Sequence, residues 1–353
     1  MVLMAIDHSS SQFNAGRVFT DSASIYTPHT PISTAQFLSR WSSHLCAPTF
    51  VFLAGTALAL SIHRRTQAGE SAWSIDRHIL LRGLVVLACE PWFSFFYVGP
   101  HGLLLQVLYA IGSSYLAMAA LRRLPTGFLV ALAGAVLVLG EQVSLELGWG
   151  PPETTPLVAM LLLVPGRRGG LDFGYQTLPW LAMMLLGWAF GRFLVGGPSA
   201  RDVIRRLAMT GVGLLGLFAA VRGCNAYGNM GLLRDDSSLV QWLHVSKYPP
   251  SLSYTALELG VMALLLAMFW AAAPHIRQRK NGVLSVFGRT PMFFYLLHMP
   301  LLSITAHGLH LYRRLGLGGV YLFAGLAIVA LYPLCGMYGQ YKAAHPSGWS
   351  RYI

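Results

Sequence analysis

Long apolar runs separated by short polar segments dominate this chain. The runs fall at residues 1–8, 37–62, 79–98, 103–121, 127–145, 178–195, 207–226, 252–273, 291–309 and 318–338. A helix needs about 20 apolar residues to cross the hydrocarbon core of a bilayer, and most of these runs have that length. The pattern predicts an all-α fold, a polytopic membrane bundle of about ten spans.

Two stretches depart from this regular pattern. The first run is short, and since six helical residues rise only about 9 Å, we interpret residues 1–8 as the outer part of a truncated first span. The apolar stretch 157–165 lies between Pro156 and Pro165 and is predicted to be re-entrant or interfacial. No Ser/Gly-rich linker divides the chain, so residues 1–353 are predicted to form a single domain.

Composition and charge support a membrane protein. Hydrophobic residues make up 55% of the chain and charged residues 11%, whereas a soluble domain carries roughly 25% charged residues. The net charge of +12 can suggest a nucleic-acid partner, but the basic residues concentrate in every second loop, as the positive-inside rule requires. They include Arg64, Arg65, Arg77, Arg122, Arg123, Arg201, Arg205, Arg206, Arg277, Arg279 and Lys280. We therefore predict that these loops and both termini are cytoplasmic and that the partner is lipid.

The ionisable residues inside the runs are the first candidates for function, because each costs several kcal/mol unless it is paired or hydrated. Asp7 and His8 lie at the outer end of the first run. A carboxylate can fix the tautomer of a histidine and make it more basic, which suits a general base. The alternative is a pair of polar residues at a helix end, since adjacent helical residues point about 100° apart.

Proline breaks accompany two further candidates. Pro48 has no N–H, so the carbonyl of His44 loses its helical partner next to an imidazole. Such breaks tend to line cavities, although Pro48 can equally stand in the first turn of a helix. Glu90 lies within the third run and is followed by Pro91.

His298 is predicted to lie near the middle of the membrane. Thr290 and Pro291 form a helix-start signal, and His298 is eight residues further along, about 12 Å from the inner end. Pro300 frees the carbonyl of Leu296 just beyond it. The sequence favours a functional histidine over one that is only hydrogen-bonded for packing.

Basic residues provide candidate binding groups. Arg82 and Arg289 are placed near the inner face, where arginine suits a phosphate or carboxylate ligand; the alternative for Arg82 is snorkelling to the interface. Lys247 and Tyr248 stand in the outer loop before Ser251, which is predicted to cap the next span. Lys247 can contact an anionic acceptor or be simply solvated. No HxxxH or HxxE spacing is present, so no metal site is expected.

The same residues carry a resemblance to a known family. The matching stretches are LMAIDH at 3–8, HLCAPTFVFLAGTA at 44–57, LLRGLVVLACE at 80–90, LQVLYAIG at 105–112, KYPPSL at 247–252, FGRTPMFFYLLHMPL at 287–301 and YPLCGMY at 332–338. On these stretches the chain resembles bacterial membrane proteins related to the catalytic region of heparan-alpha-glucosaminide N-acetyltransferase. The arginine-glycine segment that usually opens span one is absent from this sequence.

The resemblance implies a bacterial inner-membrane acyltransferase with acyl-CoA, most often acetyl-CoA, as donor. An amine or hydroxyl of an extracytoplasmic sugar or glycan is the implied acceptor. His8 or His298 is then the expected general base, with Asp7, His44 and Glu90 nearby, and both direct transfer and an acyl-histidine intermediate remain open.

Two further expectations complete this interpretation. Arg82 and Arg289 are expected to hold the CoA phosphates, and Lys247 and Tyr248 to contact the acceptor. The alternative function is a secondary transporter of a small polar or anionic solute. A homo-oligomer is possible in either case.

Overall fold

The computed structural model describes residues 1–100, 102–147, 155–275, 282–345 and 348–352. Arg277, Arg279 and Lys280 of the predicted inner loops lie outside these ranges. The described helices are α1 (Val2–Phe13), α2 (Thr34–Trp41), α3 (Cys46–Gln67), α4 (Ala72–Ala88), α5 (Glu90–Val98), α6 (Val107–Leu121), α7 (Thr126–Glu146), α8 (Leu157–Leu162), α9 (Thr177–Val195), α10 (Ala200–Cys224), α11 (Leu239–Leu243), α12 (Leu252–Ala272), α13 (Val283–Arg289), α14 (Pro291–Gly308) and α15 (Leu317–Ala344). A short 3-10 helix, Trp349–Tyr352, follows α15.

The all-α membrane architecture is confirmed. Among the described residues, seven helical segments are long and apolar enough to cross a membrane, and α6 is a shorter apolar helix. Each predicted apolar run coincides with a helix, although the total of ten spans stays a prediction. Side chains of Ser71, Ser199 and Ser251 accept hydrogen bonds at the starts of α4, α10 and α12, as the sequence predicted for Ser251.

Several helix boundaries differ from those of the predicted runs, and two stretches depart from them in kind. The run 103–121 does not begin as a helix: Leu103–Leu105 forms strand β1, which pairs in parallel with β3 (Leu171–Phe173), and β3 pairs antiparallel with β2 (Gly166–Arg168). Pairing with β3 provides hydrogen-bond partners for the backbone of β1, and Ser94 Oγ accepts the Leu104 N–H at 2.8 Å. The helix α6 therefore starts only at Val107. Within residues 157–165, only the six residues of α8 are helical.

Glycines allow the long helices to approach closely. On α9, a Cβ at Gly187 would lie 1.9 Å from the carbonyl oxygen of Phe52, and on α3 a Cβ at Gly55 would lie 2.1 Å from that of Met184. Thr56 Oγ1 donates to the Gly187 carbonyl at 3.0 Å across the same contact. Small residues and interhelical hydrogen bonds are the usual means of helix association in lipid.

Helix α1 packs against α14 and α15, and its Met4 and Ala5 belong to the large apolar core. Ser9 Oγ donates to the carbonyl of Val320 at 2.8 Å, and Phe13 stacks on Phe323 with ring centroids 4.1 Å apart. This packing determines which side of α1 faces α14. It brings His8 of α1 next to His298 of α14.

Candidate active site

His8 and His298 meet at the centre of the bundle. His8 Nδ1 lies 2.5 Å from His298 Nε2, and the two rings stack with centroids 4.9 Å apart. His298 is fully buried on α14. Two residues that the sequence singled out separately, 290 positions apart, therefore form one unit.

The hydrogen bonds fix the tautomers of this pair. His298 Nδ1 lies 3.0 Å from the carbonyl oxygen of Phe294, so this nitrogen must carry the proton and donate it. His298 Nε2 is then an acceptor, and His8 Nδ1–H donates to it. His8 Nε2 is left with a free lone pair, which makes His8 the member of the pair that can accept a proton from a substrate.

Aromatic rings surround the pair. Phe93, Tyr97 and Tyr295 contact the His8 ring at centroid distances of 5.3, 5.8 and 6.3 Å. Tyr295 also stacks on Phe93 at 4.6 Å. These contacts hold the imidazole in one orientation and restrict the approach of water to it.

Asp7 does not act on His8 through a hydrogen bond. It instead accepts from Arg17 Nη2 at 2.8 Å and from Arg40 Nη1 at 2.7 Å. Arg40 also binds Asp21 at 2.5 Å, and His44 Nε2 lies 3.4 Å from the same Asp21 carboxylate. Asp7 and His44, which the sequence placed at one end of the membrane, thus belong to one buried ionic cluster.

The pKa of Asp21 reflects its position in this cluster. Burial alone raises the pKa of its carboxyl, but Arg40 and then His44 outweigh burial and hold the pKa well below its usual range. Because the folded-state pKa is lowered, this carboxylate stabilises the fold above pH ~4 and loses that contribution as the pH falls.

Lys247 is held inside the same region. Its backbone N–H donates to the Asp21 carbonyl at 2.8 Å, and its amino group lies 5.3 Å from the centre of the Tyr248 ring. The residue is 3% exposed, so the interpretation as a solvated lysine is wrong. Burial lowers the pKa of Lys247, but the neighbouring Tyr248, Asp7 and Asp21 outweigh it and leave the pKa raised. Lys247 is therefore a buried cation.

Both carbonyls predicted to be freed by proline have partners. Pro48 stands in the first turn of α3, so the helix-start alternative holds, and the His44 carbonyl accepts from Tyr254 Oη at 3.1 Å. Trp92 Nε1 donates to the Leu296 carbonyl at 2.9 Å, four residues before Pro300. These bonds fix the backbone on either side of the histidine pair.

Glu90 lies apart from this cluster. Its Oε2 accepts the Tyr109 backbone N–H at 2.5 Å, at the start of α6, where free N–H groups and the helix dipole favour a carboxylate. The residue stands at the break between α4 and α5. Among the described residues Glu90 makes no hydrogen bond or ion pair with either histidine, and its Oε1 is buried without a hydrogen-bond partner.

Two cavities lie next to each other at the site. The larger, about 760 Å³, is mainly apolar, and its lining includes Arg82, Tyr115, Val107 and Tyr295. The smaller, about 40 Å³, is lined by Asp7, His8, Lys247 and Tyr175 among others. The two share four lining residues, namely Cys46, Phe50, Val107 and Tyr295.

The two arginines predicted to bind the donor differ in position. The Arg82 guanidinium lies 5.2 Å from the centre of the Tyr115 ring on the wall of the larger cavity. Arg289 is exposed at the end of α13, and Gly288 and Pro291 on either side of it line the same cavity. The Nε of Arg289 donates to the carbonyl oxygen of Ser285. The described residues contain no group of three or more His, Cys, Asp or Glu side chains placed to hold a metal ion.

Sequence reasoning missed Arg17, Asp21, Arg40 and Tyr295. Arg17 and Asp21 lie in a polar segment that looked like an ordinary outer loop, and Tyr295 stands among apolar residues. The one available signal was Arg40, a charged residue inside the run 37–62. An arginine at that position needs a partner, and Asp21 was the nearest preceding carboxylate in the sequence.

Comparison with known proteins identifies one family. Residues 19–218 match the family model described as "Heparan-alpha-glucosaminide N-acetyltransferase, catalytic". The matched stretch includes Asp21, Arg40, His44, Arg82 and Glu90, while α1, α12 and α14 lie outside it. No match is found among curated proteins.

Proposed function

Since more than half of the chain matches, it belongs to the family of the heparan-alpha-glucosaminide N-acetyltransferase catalytic region, and we propose from this premise that it is a membrane acyltransferase. The proposed donor is cytoplasmic acyl-CoA, most simply acetyl-CoA. The proposed acceptor is an amine or hydroxyl of a sugar or glycan on the far side of the membrane.

The observation that carries this proposal is the free lone pair on His8 Nε2. Acyl transfer to an amine or hydroxyl needs a base within reach of the attacking group. His298 accepts the other proton of His8, and His298 is itself fixed by the Phe294 carbonyl. A nucleophile-activating base oriented by a second group is the arrangement found in other acyl-transfer sites.

The larger cavity supports the donor assignment. It offers apolar walls for the acyl-pantetheine arm, and both Arg82 and Tyr295 line it. Arginine binds phosphate oxygens through several parallel hydrogen bonds. We propose that Arg82 holds CoA phosphates, with Arg289 at the cavity mouth, and that the thioester reaches the histidine pair.

On the far side, the proposed acceptor approaches the small cavity, which Asp7, His8 and Lys247 line, with the Tyr248 ring beside the Lys247 amino group. His8 Nε2 takes the proton from the acceptor as its nitrogen or oxygen bonds to the acyl carbon. The carbon–sulfur bond then breaks, and the CoA thiolate receives that proton.

The donor site is tested by thermal unfolding in lipid nanodiscs, with acetyl-CoA, with free CoA and without ligand. A ligand that binds only the folded protein at 100 times its Kd stabilises it by about 2.7 kcal/mol, so a clear rise in Tm is expected. Arg82→Ala should remove most of the rise. Arg192→Ala, an exposed arginine in the last turn of α9 that lines neither cavity, should leave it unchanged.

Absence of any rise for the unmodified protein would contradict the acyltransferase proposal. The secondary transporter would then be the better interpretation, and solute counterflow in proteoliposomes without CoA would test it.

A further inference from the structure

The ionic cluster beside His8 contains more cations than carboxylates. Arg17 and Arg40 share Asp7 and Asp21, and within the described part of the chain no carboxylate lies within 4.0 Å of the Lys247 amino group. Arg17, Arg40 and Lys247 outnumber Asp7 and Asp21 by one positive charge. The buried Glu258 carboxyl of α12 also interacts with Lys247 but makes no ion pair with it, and burial without such a partner favours the neutral carboxyl. A buried cation without a counter-charge is costly, and an anion that forms next to it is stabilised strongly.

A second group in the same place also has no partner. The hydroxyl of Tyr295 is buried and makes no hydrogen bond with any described residue. Tyr295 is 5% exposed, lies on α14 one turn before His298, and lines both cavities. A phenol O–H normally finds a hydrogen-bond partner when it is buried, so its free donor needs an acceptor from elsewhere.

The size of the small cavity limits what that acceptor can be. At about 40 Å³, it admits a small group and not a sugar ring. His8, Lys247 and Tyr295 all line it, so a group bound there lies next to the reacting atoms. A neutral thioester brings no charge to this space, whereas the tetrahedral intermediate of acyl transfer brings one negative charge.

We propose that Tyr295 and Lys247 form the oxyanion hole of the acyl-transfer reaction. When the acceptor amine bonds to the thioester carbon, the carbonyl π electrons move to the oxygen, and this oxygen accepts from Tyr295 O–H and the Lys247 ammonium. His8 Nε2 takes the amine proton. As the carbonyl re-forms, the carbon–sulfur bond breaks and the CoA thiolate takes that proton from His8.

This arrangement stabilises the transition state more than the ground state. The excess charge and the free hydroxyl are both present before the reaction, and both are compensated only when the oxyanion forms. Such preorganised donors raise kcat. Contacts that stabilise the bound substrate and the transition state equally change KM instead. The inference rests on the proposed function and assigns a role to Tyr295, which the sequence did not single out.

Kinetics of acetyl transfer from acetyl-CoA to glucosamine, used as a probe amine, test the proposal in nanodiscs. Tyr295→Phe removes one hydroxyl and keeps the ring, and it should lower kcat about 100-fold. The KM values for acetyl-CoA and glucosamine should change less than about threefold, because ground-state contacts are retained. Lys247→Met should lower kcat similarly, and Lys247→Arg should recover part of the loss.

Tyr338→Phe is the matched control. Its hydroxyl is also buried without a partner, but the residue stacks on Phe293 and lines neither cavity. It should keep the kcat of the unmodified protein. The acetyl-CoA-induced rise in Tm shows whether each variant is folded, and the Tyr295 result stands alone if Lys247→Met is unstable.

An unchanged kcat in Tyr295→Phe would overturn the proposal, and so would a loss confined to the KM for glucosamine, which would indicate an acceptor contact. If the unmodified protein binds acetyl-CoA but transfers nothing to glucosamine, water or any amine, the proposed function fails first. The two failures are therefore distinguishable.

Discussion

A single protonated nitrogen determines how the histidine pair works. Because His298 Nδ1 donates to the Phe294 carbonyl, His298 can only accept from His8, and the pair has a direction. The sequence left open which histidine is the base. The structure supports His8 as the base and His298 as the residue that positions it.

This direction predicts different effects for two substitutions of His298. Glutamine places an acceptor oxygen near the position of Nε2, whereas leucine fills the space without an acceptor and leaves the His8 N–H unpaired. We expect His298→Leu to lower kcat by about 10²- to 10⁴-fold, the usual contribution of a positioned general base, and His298→Gln to lower it less. Acetyl transfer to glucosamine measures both.

His8→Ala should be at least as inactive as His298→Leu, since it removes the base itself. Thermal unfolding with acetyl-CoA checks that each variant still folds and binds the donor. Equal activity in the leucine variant and the unmodified protein would exclude the positioning role of His298.

The pairing of these residues was beyond sequence reasoning. Asp7 was the neighbour expected to act on His8, but consecutive helical side chains point in different directions, and Asp7 turns towards Arg17 and Arg40. His298 reaches His8 only because α1 packs against α14. The sequence singled out both histidines, whereas their pairing depends on helix packing that no local pattern encodes.

At the scale of the elements, glycine controls the distance between α3 and α9. The backbones approach so closely at Gly55 and Gly187 that neither position has room for a methyl group. Polar contact follows from the same approach, since Thr56 donates to the Gly187 carbonyl.

Substitution of Gly187 is therefore expected to destabilise the bundle. In Gly187→Ala the new Cβ would overlap the Phe52 carbonyl, and relief requires the two helices to separate, at a cost of about 1–3 kcal/mol. Gly134→Ala on α7 is the control, because no atom lies within 4 Å of its Cβ and alanine favours a helix by up to about 1 kcal/mol.

Thermal unfolding of both variants in one detergent measures the difference. A lower Tm for Gly187→Ala and an equal or higher Tm for Gly134→Ala are expected. If the two variants unfold alike, the close contact does not limit the separation of these helices.

Proline positions were informative about elements only in part. At Pro48 the sequence left a helix break and a helix start open, and the structure has the start, whereas Pro300 lies inside α14. The carbonyls four residues earlier, of His44 and Leu296, each accept a hydrogen bond from a side chain of another helix. The sequence did not predict the partners, Tyr254 and Trp92, because these come from α12 and α5. Likewise, the three residues of β1 read as part of an apolar helix, since their strand pairing depends on a segment more than 60 positions away.

For the whole molecule, the alternation of basic loops predicts an orientation. Gln67, at the end of α3, and Ser237, before α11, are exposed positions at opposite ends of the bundle. In a variant with the four native cysteines replaced by serine, Gln67→Cys should react with a membrane-impermeant thiol reagent only after cell lysis. Ser237→Cys should react in intact cells. The reverse result would invert the orientation and place the donor side outside.

Sequence reasoning was most successful at this scale. Apolar run length gave the membrane architecture, and the motifs along the chain gave a family that the comparison confirms. It made no prediction for the segment from Asn14 to Ser33, in which Asp21 is buried. Burial of Asp21 there depends on Arg40 and Lys247, which belong to other parts of the chain.

The charge beside the narrow cavity has an electrical consequence for the membrane. A route that lets an acyl group pass between two faces of a bilayer can also become a leak for protons and metal cations. Here Lys247 lines the small cavity, and Arg17 and Arg40 pair with its Asp7, so a cation entering this cavity would meet their repulsion, much as a fixed arginine excludes cations from a selective pore. In the proposed reaction, the charges that favour the oxyanion would also oppose cation leakage, so that group transfer need not discharge the membrane potential.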